Sequence, residues 1–443
     1  MNNTLTNYSK TLGGSSSLIA GWTEIFLIAA IVTLPIDGTR FGIDMPYWTP
    51  IAPAFLLAYA LCNPRLLVRS IRRFAPFYLL FAALIVVSCY GWATVGFSSL
   101  HVGQIACALI GGLACLASLD IAFRLKQLDW HKAVTLLVVV YCMAFAVGVL
   151  EWLDRSNGLP WLTRLSQQVM YRNYVPCKPQ FLFAEPSYIG MHLFGVLLPL
   201  FWITRRKSLV VVALGFAVGS AAMGVGVRIL IDTVVALLLW SITMADWKRW
   251  RDRILAVIAC VGIGTAGTVA LTANDRVHAL LTQGMLTGDF SMLARIFRSI
   301  APIVAGLRDL PHLLFGFGAG NIKEAMLRGY AEARAILDAH GAKTEGNGEI
   351  RLIGNTNNED YYFTMNAYVS FVTEFGLLMM LVLFVVLLWF VTKHHSWNIT
   401  TVCWMLLLAY LYIQFEGYAF YALWLFIWAV GADLVKSHKG VNE

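Results

Sequence analysis

Apolar residues fall along this chain in blocks of about 17–25, the length of a helix that crosses a bilayer, and polar connectors separate the blocks. Read with that rule, the 443 residues predict about twelve membrane-spanning helices, near 20–36, 48–63, 75–97, 103–123, 133–152, 187–204, 208–226, 229–245, 254–273, 367–391, 399–415 and 418–435. The connector after every second block is basic. Arg65, Arg69, Arg72 and Arg73 follow the second, Arg124, Lys126 and Lys132 the fourth, and Arg205, Arg206 and Lys207 the sixth. Lys248, Arg249, Arg251 and Arg253 follow the eighth, Lys393 the tenth, and Lys436 and Lys439 the twelfth. Cytoplasmic connectors carry the excess of Lys and Arg. The pattern therefore predicts an all-α polytopic membrane protein with both termini in the cytoplasm, N-in/C-in.

That orientation leaves two long connectors outside, Leu153 to Ala184 and Asn274 to Thr364. The chain divides accordingly into 1–273 with nine spans, a large outer loop at 274–364, and 365–443 with three spans. The large loop has helical stretches of its own. Phe290, Leu293, Ile296, Phe297, Ile300, Ile303, Val304 and Leu307 recur at helical spacing, with Arg295, Arg298 and Arg308 off the stripe. Pro302 predicts an end or a kink in that helix. A Gly-rich turn, LPHLLFGFGAGN, follows, and Asn321 with Glu324 reads as a capping box opening a second helix that runs to about His340 and stops at Gly341. Residues 341–364, rich in Gly and Asn, read as irregular loop.

Composition narrows the class. Hydrophobic residues make up 59% and charged residues only 13%, where a soluble domain has about 25% charged; an ordinary soluble enzyme is excluded. The 13% aromatic content excludes a disordered chain. A net charge of +8 would suggest nucleic acid in a soluble protein, but here the basic residues sit in short clusters between apolar blocks and are read as the topology signal, so no nucleic-acid partner is expected. Of the eight cysteines, all but Cys177 lie in or at the edge of apolar segments, with no CxxC pair and no metal-type spacing. Neither a disulfide framework nor a metal site is expected. The N-terminus lacks the basic region and cleavage site of a signal peptide.

Charges inside or beside spans are costly and face a partner or a wet cavity. Several gather at the predicted outer ends: Glu185 in FLFAEPSYIG, Arg228 in GVGVRILIDT with Asp232 one turn on, Arg295 and Arg298 at the head of the large loop, Asn366 and Glu374 in MNAYVSFVTEFG, and Glu416 between the last two spans. Together they predict a site for an anionic substrate. Each also has a plain structural role. Glu185 favours a helix start, Arg228 and Asp232 form an i,i+4 pair, and Arg295 and Arg298 are the solvated face of an amphipathic helix. Asn366 is polar glue between helices. Glu374 is a scaffold group needing a buried partner, Glu416 is solvated in a short loop, and His192 is a satisfied core residue. His278, His312 and His340 lie outside, with no spacing that singles one out.

Taken in order, FAEPSY before a span, an arginine after the seventh span, SMLARIFRSI with LPHLLFGFGAGN, and MNAYVSFVTEFGLLMM opening a span resemble the O-antigen ligase and polymerase family over about residues 180 to 390. These are bacterial inner-membrane, GT-C-like glycosyltransferases of polysaccharide assembly with a large periplasmic loop. The resemblance implies an undecaprenyl-pyrophosphate-linked glycan as donor and acceptor, an active site facing the periplasm, no cofactor and no metal, and a chain-length regulator as a further partner. It implies that Arg228 and Arg295 hold the lipid diphosphate, with Arg298 in support. Bidentate guanidinium forks suit phosphate oxygens.

Ligases of the family carry a histidine before the asparagine at the end of the loop. Here Met365 precedes Asn366, and a thioether takes no proton. That departure favours the Wzy-type polymerase branch, with Glu185 as the group that activates the acceptor. Glu359 and Asp360, beside Tyr361 and Tyr362, come second, and Asn366, Asp360, Tyr361 and Tyr362 are read as substrate-binding. A ligase that transfers glycan to lipid A–core, and a flippase with no chemistry, are the alternatives.

Overall fold

The computed structural model describes residues 18, 21–157, 160–171, 178–272, 274–355 and 362–435. These residues are helical, joined by turns and isolated bridges, with no strand among them. In chain order the helices are α1 (Glu24–Thr33), α2 (Ala52–Leu61), α3 (Pro64–Arg73), α4 (Ala75–Thr94), α5 (Ser99–Leu119), α6 (Trp130–Asn157) and α7 (Pro160–Val169). Next come α8 (Pro186–Thr204), with a π-helical stretch at Leu193–Leu197, then α9 (Lys207–Ala222), α10 (Val227–Met244) and α11 (Trp250–Thr272). The loop region holds α12 (Asp275–Gln283), α13 (Phe290–Arg308), α14 (Leu310–Phe315), α15 (Ile322–Ala339) and α16 (Gly348–Ile353). The chain closes with α17 (Ala367–Lys393), α18 (Ile399–Tyr412) and α19 (Tyr421–Gly431).

Eight helices among the described residues are long and apolar enough to cross a membrane: α4, α5 with its extension to Leu125, α6 to Asp154, α8, α10, α11, α13 and α17. A helix stands at each of the twelve predicted spans, but length separates them. α1, α9, α18 and α19 are apolar yet have only 10–17 residues, short of the roughly 20 that cross a hydrocarbon core. The second predicted span is also corrected. Residues 45–51 form a turn rather than helix, and after Leu61 the chain bends by 103° into α3. Arg65, Arg69, Arg72 and Arg73 thus lie on a helix and not in a loop.

The buried core runs through α2, α5, α8, α18 and α19, whose Ala, Leu, Phe and Trp side chains pack together. The large loop has a smaller core of its own, between α13, α15 and α16. Here α13 continues through Pro302 to Arg308, correcting the expected break. Pro302 is itself buried, and α15 lies so close that a Cβ on Gly329 would stand 1.9 Å from the Ala301 carbonyl oxygen. This close packing holds the helix across the proline. The capping box is also corrected. Asn321 stands at the start of α15, but its amide donates to the carbonyls of Gly96 (3.0 Å) and Phe317 (2.7 Å). α15 ends before Gly341 (φ 87°), as expected. The stretch read as irregular contains α16, capped by Asn347 accepting from Glu349 and Ile350.

One contact locks this loop to the membrane helices. α17 is broken at Gly376 (φ 83°). The backbone groups freed there meet the Gly-rich turn: Phe317 N–H donates to Thr373 O at 2.7 Å, and Gly318 N–H to Glu374 O at 2.9 Å. On the turn's other side Trp92 of α4 donates to Ala319 O at 2.9 Å. Glu374 is wholly buried and has the partners its position demands, accepting from Gly320 N–H and from the Tyr418 hydroxyl, both at 2.8 Å.

Candidate functional site

The segment preceding α8 is held by two buried carboxylates. Glu151 of α6 accepts from the Gln180 and Phe181 backbone N–H groups at 2.6 and 3.1 Å. Asp37 accepts from Ala184 N–H at 2.6 Å with one oxygen and meets His192 Nε2 at 2.6 Å with the other. On the other side of the ring His192 Nδ1 lies 2.8 Å from the Tyr141 hydroxyl, so both ring nitrogens have a hydrogen-bond partner. His192 is therefore the satisfied core residue expected. This bracing presents Glu185, extended at φ −149°, just ahead of the short turn Pro186–Tyr188.

Three groups converge on Glu185. The Tyr47 hydroxyl donates to Oε2 at 2.7 Å, Ser187 Oγ to Oε1 at 2.5 Å, and the Arg295 guanidinium stands 3.9 Å from Oε1. Arg295 arrives from α13 of the large loop and Tyr47 from the turn before α2, so three distant parts of the chain meet here. Tyr47 also joins the remaining residues. Its ring lies 6.0 Å from that of Tyr188, over which Arg228 sits at 5.9 Å. On its other side the Phe363 ring is 4.2 Å away, with Arg298 over it at 4.0 Å.

Arg228 is the least expected group. It stands in the first turn of α10, where a cation opposes the helix dipole. Its side chain is 10% exposed, and its three guanidinium nitrogens are buried without a hydrogen-bond partner. Asp232, one turn on, faces it at 3.8 Å, an ion pair without a hydrogen bond, while its other oxygen accepts from Tyr410 at 2.6 Å. Unmet buried donors are costly. An anion lying between this guanidinium and the helix N-terminus would satisfy them.

Other expected site residues sit differently. Arg298, expected to support the arginines that hold the diphosphate, is 1% exposed. Its guanidinium lies under Phe363, donates to the Phe363 carbonyl at 3.4 Å and faces Glu349 at 3.7 Å. It supports the wall of the site from behind. Asn366, read as substrate-binding, spends its side-chain oxygen capping α17, accepting from Tyr368 and Val369. Tyr362 donates to Asn355 O at 3.2 Å, and Lys323 lies over its ring. Glu359, Asp360 and Tyr361, like Cys177, fall outside the described residues.

Glu416 was read as solvated and is instead 4% exposed. Its Oε2 accepts from Thr364 N–H and Oγ1, Met365 N–H and Ser370 Oγ at 2.8–3.1 Å. Burial pushes its carboxyl above the usual carboxylate range, against the pull of those donors. Met365 is thereby pinned at φ 58° with its side chain buried. Among the described residues no group of three or more His, Cys, Asp and Glu gathers in metal-binding geometry.

Sequence reading missed Tyr47. Its only trace is a Pro–Tyr–Trp cluster at the end of a predicted span, and nothing local says that its hydroxyl reaches Glu185. Tyr47→Phe keeps the ring contacts and loses one hydrogen bond, so a fold close to wild type and a loss of about 0.5–1.5 kcal/mol in stability are expected. Melting of purified protein in detergent checks this, and a melt identical to wild type would show that the bond to Glu185 does not hold the site together.

Compared with protein families, with curated proteins and with solved structures, the chain matches none.

Proposed function

We propose that this chain is a polysaccharide polymerase of a bacterial inner membrane, joining undecaprenyl-pyrophosphate-linked oligosaccharide repeats at the periplasmic face. The helices at the twelve predicted spans, short ones included, would span or re-enter the bilayer with both termini inside, and α13, though long and apolar enough to cross, would lie in the outer loop. The observation that supports the reading is that Glu185 meets Arg295 and Tyr47, with Arg228 over the neighbouring Tyr188 ring.

In this reading Arg228 and Arg295 bind the pyrophosphate of the donor. The acceptor hydroxyl attacks the anomeric carbon, the bond from that carbon to the pyrophosphate oxygen breaks, and the electron pair leaves on the pyrophosphate. Glu185 takes the hydroxyl proton. Direct displacement inverts the anomeric centre. The two guanidinium groups stabilise the charge that grows on the leaving group. Met365, a buried thioether, offers no base in the place a ligase uses, and this favours polymerase over ligase.

The gel ladder of surface polysaccharide from a deletion strain tests the assignment. Core bearing one repeat and no ladder is expected, with wild-type chain restoring the ladder. Bare core with polymer left on the lipid carrier would mean a ligase. Repeats stranded on the cytoplasmic side would mean a flippase.

A further inference from the structure

A cleft of about 150 Å³ opens on Tyr47, the residue whose hydroxyl bonds Glu185. It is smaller than the roughly 300–1,000 Å³ of a pocket that encloses a drug-sized ligand, and a sugar ring is on its scale. One wall is aromatic, made by Tyr47, Phe363 and Tyr362. The lining also holds polar groups: Gln104 of α5 donates to Asp44 at 2.8 Å, His101 is nearby in the same helix, and Lys323 of α15 lies over the Tyr362 ring. The floor is Gly320 and Glu374, where the Gly-rich turn docks on α17.

This lining discriminates between ligands. A lipid tail would strand Asp44 and Gln104 against hydrocarbon. A pyrophosphate would meet the Asp44 carboxylate, which Lys323 alone of the lining Lys and Arg side chains offsets. A neutral carbohydrate suits both the aromatic wall and the polar groups. Its ring C–H face packs on aromatic rings, and vicinal hydroxyls can both donate to and accept from a paired carboxylate and amide. Tyr47 separates the two compartments, with its hydroxyl on Glu185 and its ring on the cleft. A sugar seated in the cleft is therefore one side chain, Tyr47, away from the carboxylate.

We infer that the cleft bounded by Tyr47, Gln104, Asp44, Lys323 and Phe363 is the binding site for the acceptor's terminal sugar, distinct from the arginine site that holds the donor pyrophosphate. The inference rests on the polymerase reading.

The probe is the repeat-unit oligosaccharide freed from its lipid by mild acid, which keeps the acceptor's non-reducing end and lacks the pyrophosphate. Binding to full-length protein in detergent is measured by calorimetry. Wild type is expected to bind saturably. Gln104→Ala and Asp44→Asn should weaken binding about tenfold, the worth of one or two hydrogen bonds, while Arg228→Ala leaves it unchanged. Equal binding by wild type and both cleft variants, or a loss with Arg228→Ala as large as theirs, would overturn the cleft. Release of undecaprenyl pyrophosphate from lipid-linked repeats is followed in parallel. Wild type that releases it but does not bind the oligosaccharide overturns the cleft alone. Wild type that does not release it overturns the polymerase reading, and the cleft assignment with it.

Discussion

If the chain is the polymerase proposed, Arg228→Ala is expected to lower the release of undecaprenyl pyrophosphate by about 10²–10³-fold, the usual cost of removing one group that stabilises charge developing in a transition state. The expectation rests on three features. The guanidinium is nine-tenths buried, its nitrogens have no hydrogen-bond partner, and it sits where the dipole of α10 disfavours a cation. A purely structural arginine would be hydrogen-bonded to its surroundings or replaced by a neutral residue. Removal also leaves Asp232 facing an empty space, although Tyr410 and Gln414 still hold its other oxygen. The loss must therefore be separated from misfolding.

Arg228→Lys does that. It keeps a positive charge near Asp232 but loses the planar fork that meets two phosphate oxygens at once. About a tenfold loss of turnover is expected, with thermal stability close to wild type. Activity of Arg228→Ala within threefold of wild type, measured on purified protein of normal stability, would sink the role given to this residue.

The second large effect is on the fold. Gly376→Ala should destabilise the protein by about 2–6 kcal/mol, summing about 1–3 for an unfavourable backbone conformation and about 1–3 for overpacking. Gly376 has φ 83°, and a Cβ there would lie 2.2 Å from the Leu314 carbonyl oxygen. The obstacle is backbone, so no side-chain rotation relieves it. The turn facing it is equally tight, since a Cβ on Gly316 would stand 2.3 Å from Glu374 O. Gly215→Ala supplies the comparison. Gly215 lies inside α9 with nothing within 4 Å of its Cβ position, and alanine there should be neutral or stabilising by up to about 1 kcal/mol. Melting of the two variants in detergent reads the difference. A Gly376→Ala protein that melts with wild type would show that the break in α17 is not required for the loop to dock.

How far the sequence carried differs between element and site. The positions of the apolar helices were legible because hydrophobicity over a block of residues is a local property. The helical stripe of α13 was legible for the same reason, and so was the stop of α15 at Gly341. Helix length at α1, α9, α18 and α19 was not. An apolar block does not say whether its end residues turn away to pack, as the residues 45–51 do in reaching Glu185. Pro302 misled because the local rule for proline ignores the close packing of α13 on α15. Asn321 misled because its amide found more distant carbonyls, on Phe317 and Gly96, instead of its own helix.

The candidate site shows the same division. Glu185, Arg228 and Arg295 could be picked from the sequence because a charge beside an apolar block is costly wherever it stands. Their roles could not be ranked in that way. Arg295 and Arg298 lie three residues apart on one helix, yet one meets Glu185 and the other is sealed beneath Phe363. Glu416 resembled a solvated loop residue until four donors were found on one of its oxygens.

By itself, then, the sequence determined that this is an all-α, membrane-type chain with one long polar excursion and a few charges that need partners, because composition and periodicity act over a single segment. Only the tertiary structure decided which charges meet, that Tyr47 bonds Glu185, that the Gly-rich turn seats in the break at Gly376, and that a cleft opens on Tyr47. Those outcomes depend on distances between residues far apart in the chain, and such distances follow from packing.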